Sequence, residues 1–239
     1  MRVWDIHPGY LSYRSLLGEH SEIHAIYNIV RQKKSGYSNH PETLRWAKNL
    51  RLLVHRHDLI VKEMTLRKFN HNSSLLPLPL GSIKDKINKV SYIDLPETQF
   101  EILYKKYTQK KQIGRIPLPV NGSEFWAHHK YSIMGRGYQY YKELQKFLKN
   151  RKNYPIGQEH DLIQKIQIYM EMQITFKALN NVIEHLWGYF KNTTNLGEKK
   201  YFFKLPDPIK KLSCLYKLAE KYQQNYLIHS TIFADFLPN

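Results

Sequence analysis

Apolar positions recur at spacings of three and four along most of this chain, the period of an amphipathic helix. Over 8–31, Leu16, Ile23, Ile26, Tyr27 and Val30 fall on one face. A second helix is expected over 41–68. It opens with Pro41 at a first helical position and Glu42 in the first turn, and Leu44, Leu52, Leu59 and Met64 help supply its apolar face. Further helices are expected over 97–112, 124–150, 159–191, 207–225 and 226–236. No stretch alternates as a strand does, so the expected fold class is all-α.

Turn residues gather in two places. Residues 70–97 hold Asn70, Asn72, Ser73, Ser74, Pro77, Pro79, Gly81 and Pro96. Residues 113–123 hold Gly114, Pro117, Pro119, Asn121, Gly122 and Ser123. The second cluster follows a segment that still reads as helix, so it is the better boundary. Two helical domains are expected, 1–122 and 123–239, with no internal repeat.

Composition narrows the function. The chain has 239 residues and one cysteine, Cys214. That excludes a disulfide scaffold and an all-cysteine zinc or iron–sulfur protein. Hydrophobic residues make up 42%, enough for a core and too many for a disordered basic tail. The net charge of +17 favours a polyanionic partner, which could be DNA, RNA or an anionic membrane surface. The first 122 residues carry 20 basic and 10 acidic groups and the remainder 17 and 10, so both parts are basic. No run of 18 apolar residues exists, and the start has no signal-peptide pattern. A cytoplasmic protein with no membrane span is expected.

The segment Leu16-Leu17-Gly18-Glu19-His20-Ser21-Glu22-Ile23-His24-Ala25-Ile26 concentrates polar chemistry on one helix. Glu22 flanks the apolar stripe, where a carboxylate can be half-buried and face a groove. His20 and His24 are four apart and share a face. As metal ligands they would need a third from elsewhere, and decoration of an ordinary amphipathic helix is the plainer reading. No metal or other cofactor is expected.

These residues, with Met1-Arg2-Val3-Trp4-Asp5, Gly36-Tyr37-Ser38-Asn39-His40-Pro41-Glu42-Thr43-Leu44-Arg45-Trp46, Arg56-His57, Glu63-Met64, Phe69 to Leu75 and Leu95 to Gln99, carry a resemblance. Residues 1–122 resemble the pyrimidine-dimer DNA glycosylases of the phage endonuclease V type, and most strongly their longer cellular branch. The resemblance implies a DNA repair glycosylase with apurinic/apyrimidinic lyase activity on damaged pyrimidines. In that family the α-amine of the first residue attacks the sugar and forms a Schiff base, and a glutamate on the first long helix assists. Carried over, the amine is that of Met1 and the carboxylate that of Glu22. Arg2 is too large for methionine removal, which keeps Met1 in register. A free α-amine titrates at about 7.7–8.0, so a useful fraction is neutral at cell pH. The chain departs from the family at Ser15 and Ser21, where a histidine and an arginine are usual.

Basic and aromatic residues suited to a nucleic-acid backbone and an unstacked base are Arg2, Arg14, His20, His24, Lys33, Lys34, Tyr37, His40, Arg45 and Arg56. The expected partner is damaged duplex DNA, with RNA as a second candidate.

Residues 123–239 resemble an uncharacterised helical domain that also occurs fused to a thiouracil-desulfidase-like domain. The matching stretches include Phe125 to Gln139, Asn181 to Lys191 and Tyr226 to Ser230. His129, Lys130, Tyr131, Arg136, Tyr138 and His185 are candidates for a phosphate or base pocket, and Lys130 and Arg136 for nucleic-acid contacts. Packing is the competing reading for Trp187 and Tyr189. Two alternatives stand beside the repair enzyme: a non-catalytic nucleic-acid-binding protein on the same fold, or an enzyme acting on modified bases in RNA.

Overall fold

A computed structural model describes residues 1–77, 90–150 and 154–236. The turn signals at Pro79 and Gly81 lie outside the described residues. Among those described, the protein is all-α, with twelve helices and two isolated β-bridges.

Helix α1 (Tyr13–Gln32) follows a 3-10 turn at Pro8–Tyr10. The Ser12 side chain caps it by accepting from the Ser15 backbone N–H. Leu16, Ile23, Ile26 and Tyr27 are buried along one face, as the spacing predicts. Lys33 ends it in a left-handed conformation at φ 52°.

The helix expected over 41–68 is two helices, α2 (Pro41–Ala47) and α3 (Leu50–Leu66). The backbone leaves helical geometry at Asn49 (φ −139°, ψ 40°), a residue type whose short polar side chain favours non-helical conformations. Both helices reach the chain start, α2 through Glu42 and Arg45 and α3 through Arg56. Helix α4 (Pro96–Lys110) closes the first part of the chain.

Helix α5 (Gly122–Arg136) starts at the Asn121 cap, and α6 (Tyr138–Phe147) turns away at Gly137, dividing the segment expected over 124–150. The segment 159–191 likewise divides, into α7 (His160–Met170) and α8 (Phe176–Trp187). Helix α9 (Leu196–Lys204), which apolar spacing does not predict, opens on a capping box between Asn195 and Glu198. Helix α10 (Pro208–Lys221) precedes two short helices, α11 (Asn225–Ile228) and α12 (Ile232–Asp235).

The hydrophobic interior does not divide at residue 122. One cluster joins Val3, Leu16, Leu53 and Leu103 to Phe125, Ile133, Leu144 and Ile163. The other is built mainly from α5, α8, α10 and the last two helices, and it includes Leu66 of α3. Polar contacts tie the same regions together. The Tyr10 hydroxyl sits 3.1 Å from both His128 Nδ1 and His129 Nε2. Glu63, fully buried, takes bidentate contacts from Arg115 at 2.8 Å and one from Arg67 at 2.7 Å. Arg115 also donates to the carbonyls of Ile228 and Ser230. Gly114 is needed where this segment crosses the chain start, because a Cβ there would lie 2.5 Å from the Tyr10 carbonyl oxygen.

Candidate active site

The first six residues have no regular hydrogen-bonded structure and run through the interior between α1, α2, α3 and α4. Their backbone groups must find partners there, and side chains supply them. Glu42 on α2 accepts from the Val3 N–H at 3.2 Å, Glu19 on α1 from Trp4 at 3.1 Å, and Gln99 on α4 from Asp5 at 2.8 Å. Arg45 donates to the Val3 carbonyl at 3.3 Å and Arg56 to the Ile6 carbonyl at 2.8 Å.

The anchoring groups are themselves paired. Arg56 makes a bidentate contact with Glu19 at 2.7 and 3.0 Å. Arg45 contacts Glu42 at 3.2 Å and pairs with Asp5, whose other oxygen accepts from Gln99 at 2.8 Å. Burial pushes the Glu19, Glu42 and Asp5 carboxyls up, and the facing guanidiniums of Arg56 and Arg45 pull them back toward the ionised form.

This scaffold delivers the chain start to α1. The Met1 backbone nitrogen lies 4.0 Å from Glu22 Oε1. The Met1 side chain packs against the core, while the Glu22 side chain is 36% exposed. One face of α1 beside it presents Gly18, Ser21 and Ala25, all exposed, and adding a Cβ at Gly18 would meet nothing within 4 Å. Two surface grooves lie elsewhere. One, of about 300 Å³, is lined by Phe100, Tyr104, Leu118 and Ile156 among others, and the smaller one by Ser12, Tyr13, Arg14, Gln112 and Ile113.

The other residues singled out from the sequence fall into two sets. Arg14, Lys33, Lys34 and Tyr37 are exposed. His40 caps α2, its Nδ1 accepting from the Glu42 N–H, and its ring meets that of Tyr37 edge-on. Arg2 lies over the Trp4 ring at 4.3 Å and pairs with Asp94 at 2.7 Å. Arg45, Arg56 and Arg136, read from sequence as facing nucleic acid, are instead turned inward. The first two hold the chain start. Arg136 donates to the carbonyls of Met170 and Ser132 and faces Asp235 at 3.5 Å. Their charges serve buried carboxylates rather than a solvent-facing surface.

His20 and His24 also turn away from solvent. They meet His57 of α3 and His71 of the following segment, and one ring nitrogen from each of the four lies within 4.8 Å of the others. Burial and the neighbouring imidazoles push His20 down to about 4, and burial likewise lowers His24 and His57. This group includes two residues, His57 and His71, that complete the His20–His24 pair from elsewhere in the chain.

Of the two sites where the chain departs from the family resemblance, Ser21 is exposed and Ser15 is buried. Lys106 of α4 donates to Ser15 Oγ at 2.9 Å, placing a cation against that position. Burial and Lys110 lower the Lys106 amine.

In the second part, Lys130 lies 4.6 Å from the Tyr131 ring and 4.8 Å from that of Tyr226, a cation held by aromatic faces. Tyr131 donates to the Tyr189 hydroxyl at 3.1 Å. His129 is buried beneath Tyr10, whereas Tyr138 and His185 are exposed, so the six candidates do not converge on one pocket. Trp187 stacks on Phe202 with ring centroids 4.2 Å apart, the packing role, and Tyr189 is 41% exposed.

Glu19, Glu42, Asp5 and Gln99 were not singled out as functional by the sequence. A usable signal existed for Glu19. It lies three residues after Leu16 and four before Ile23, inside the apolar stripe, where a charge is rare unless paired.

Comparison with protein families places two matches on this structure. Residues 1–76 match the family described as pyrimidine dimer DNA glycosylase, and residues 130–236 match one described as a protein of unknown function (DUF1722). The two stretches agree with the two resemblances read from the sequence. Comparisons with curated proteins and with solved structures gave no match. The first stretch contains Met1, Glu22 and the strap anchors Glu19, Glu42, Arg45 and Arg56. No helix among the described residues is long and apolar enough to cross a membrane.

Proposed function

We propose that the protein is a DNA glycosylase with apurinic/apyrimidinic lyase activity on damaged pyrimidines, acting through the Met1 amine. The observation that carries this reading is the 4.0 Å approach of the Met1 nitrogen to Glu22, within a segment matching the pyrimidine dimer DNA glycosylase family. The neutral amine attacks the sugar anomeric carbon, and the glycosidic bond breaks with its electron pair leaving on the base. Loss of the amine proton and opening of the sugar ring give the imine. Removal of a proton from the adjacent sugar carbon then expels the 3′ phosphate by β-elimination, and water releases the product from the amine. Glu22 is suited to stabilise the cationic sugar and to carry protons between these steps.

The 4.0 Å separation exceeds a hydrogen bond and is of a kind that tightens when substrate binds. The partner is damaged duplex DNA, whose weakened stacking lowers the cost of exposing the target. Borohydride trapping on an abasic duplex tests the chemistry, with intact-mass determination of the N-terminus. The expected result is a covalent adduct that disappears when the α-amine is blocked. An adduct that persists with a blocked terminus overturns the amine assignment.

A second reading, nucleic-acid binding without turnover, is favoured by the burial of Ser15 against Lys106, which leaves that position without a side chain directed at a sugar. It predicts salt-sensitive binding and no adduct on any damaged substrate. A third, action on a modified base in RNA, predicts turnover of transfer RNA in preference to irradiated or abasic duplex.

A further inference from the structure

We propose that His20, His24, His57 and His71 bind one divalent transition-metal ion, zinc foremost, in a closed site that staples the segment after α3 onto α1. His20 and His24 stand one turn apart on α1, His57 comes from α3, and His71 from the stretch that follows it. The four candidate ligand atoms lie within 4.8 Å of one another. The Nε2 atom of every one of the four is buried and has no hydrogen-bond partner.

Ring packing accounts for the imidazoles' apolar faces, with centroids 4.6 to 5.4 Å apart. It does not account for four orphaned polar atoms in one place, because buried polar groups almost always find partners. A metal ion satisfies all four at once. Zinc–nitrogen bonds of about 2.0–2.1 Å in a tetrahedron put neighbouring ligand atoms roughly 3.4 Å apart. Small side-chain rotations close the gap from the observed separations. Four imidazoles, with neither thiolate nor carboxylate among them, suit zinc, copper, nickel or iron and disfavour magnesium and calcium.

The surroundings resemble the outer shell that orients metal-bound histidines. His57 Nδ1 lies 3.5 Å from the Asp58 carboxylate, and His24 has a hydrogen bond with the Ser73 backbone. The segment from Phe69 to Pro77 has no regular secondary structure, yet it is laid against α1. Phe69 meets Tyr13 edge-on, and the Tyr27 hydroxyl donates to the Leu76 carbonyl at 2.5 Å. A metal bound through His71 would pin this stretch between those contacts. Four protein ligands leave no coordination position for water, which makes the role structural. Glu22 follows His20 by two residues, about 200° around the helix, so the site is separate from the proposed chemistry.

The test uses full-length protein prepared without a histidine tag. Elemental analysis should find close to one zinc per chain. Cobalt(II) loaded in its place should give the intense visible bands of a tetrahedral ion. His71→Gln, outside the helices, should weaken cobalt binding at least about tenfold with unchanged helical circular dichroism. Hydrogen exchange of residues 69–76 in the unsubstituted chain should slow with zinc and quicken with a chelator. Substoichiometric metal with a weak octahedral cobalt spectrum would overturn the site, as would bands or exchange indifferent to His71→Gln and to zinc respectively.

Discussion

The Met1 backbone nitrogen and the Glu22 carboxylate face each other at 4.0 Å, an approach fixed on one side by α1 and on the other by a buried strap. The strap's backbone is held by Glu42, Glu19, Gln99, Arg45 and Arg56. These bonds fall on the backbone of residues 3 to 6 rather than on the amine or on Glu22, so position and chemistry can be separated by mutation.

Glu22→Gln keeps the side chain's size and removes its charge and basicity. General acid–base assistance is worth roughly 10² to 10⁴ in rate. Single-turnover cleavage of an abasic duplex should fall at least about 100-fold, while fluorescence anisotropy finds duplex affinity within about threefold. Undiminished cleavage would remove Glu22 from the mechanism.

Glu19→Gln should behave differently. It leaves the Arg56 guanidinium buried with its charge uncompensated, and breaking a buried pair in this way costs about 3–5 kcal/mol. Urea unfolding should show that loss. A stability change below about 1 kcal/mol would mean that water or another carboxylate satisfies Arg56.

The contrast between Glu22 and Glu19 shows what was legible in the sequence. Helical spacing marked the buried face of α1, and Glu22 stood at its flank. Which cation meets Glu19 depends on how α3 crosses α1, and periodicity within one helix carries no record of that crossing. The same holds for His57 and His71, which complete the histidine group from 33 and 47 residues beyond His24. Arg56 reads as a surface charge because its partner Glu19 comes from another helix, and Arg45 because Asp5, which joins Glu42 in pairing it, comes from the chain start. Asn49 and Gly137 ended helices that apolar spacing alone carried through.

Acid should loosen the contact between the start of the chain and α5, where Tyr10 meets His128 and His129. Burial pushes His128 from its ordinary value near 6.5 down to about 3, with His229, Arg115 and His7 adding repulsion, and burial holds His129 well below its ordinary range. Both are neutral when folded, whereas the unfolded chain protonates them below about pH 6.5. The unfolded state therefore binds more protons, and stability falls as pH drops from 6.5 toward 3. The limiting slope is about 1.4 kcal/mol per pH unit for each histidine. Burial would raise Glu63, but Arg115 and Arg67 bring it down to about 2. It adds a loss of the same sign from about pH 4.5 downward. Urea midpoints between pH 7.5 and 4.5 should decline, and His128→Gln should flatten that decline. A flat profile in the unsubstituted protein would contradict the buried neutral state.

Exposed and buried cations should separate in a salt titration. Lys33, Lys34 and Arg14 are exposed and free to meet phosphate. Each phosphate contact removed lowers the slope of log affinity against log salt by about 0.9. Lys34→Ala and Arg14→Ala should weaken binding to unrelated duplexes by similar factors and reduce that slope, with little change in stability. Lys33→Gly is the apt substitution at the third position, because glycine adopts its left-handed φ of 52° without a Cβ penalty. Arg45→Ala and Arg56→Ala should do the reverse. They leave Asp5, Glu42 and Glu19 unpaired in the interior, lowering the urea midpoint while the salt slope of the remaining folded protein stays unchanged. If Arg56→Ala instead lowered the slope at constant stability, the guanidinium would have to leave Glu19 and reach the nucleic acid. That would make the buried pair a resting state rather than a fixed anchor.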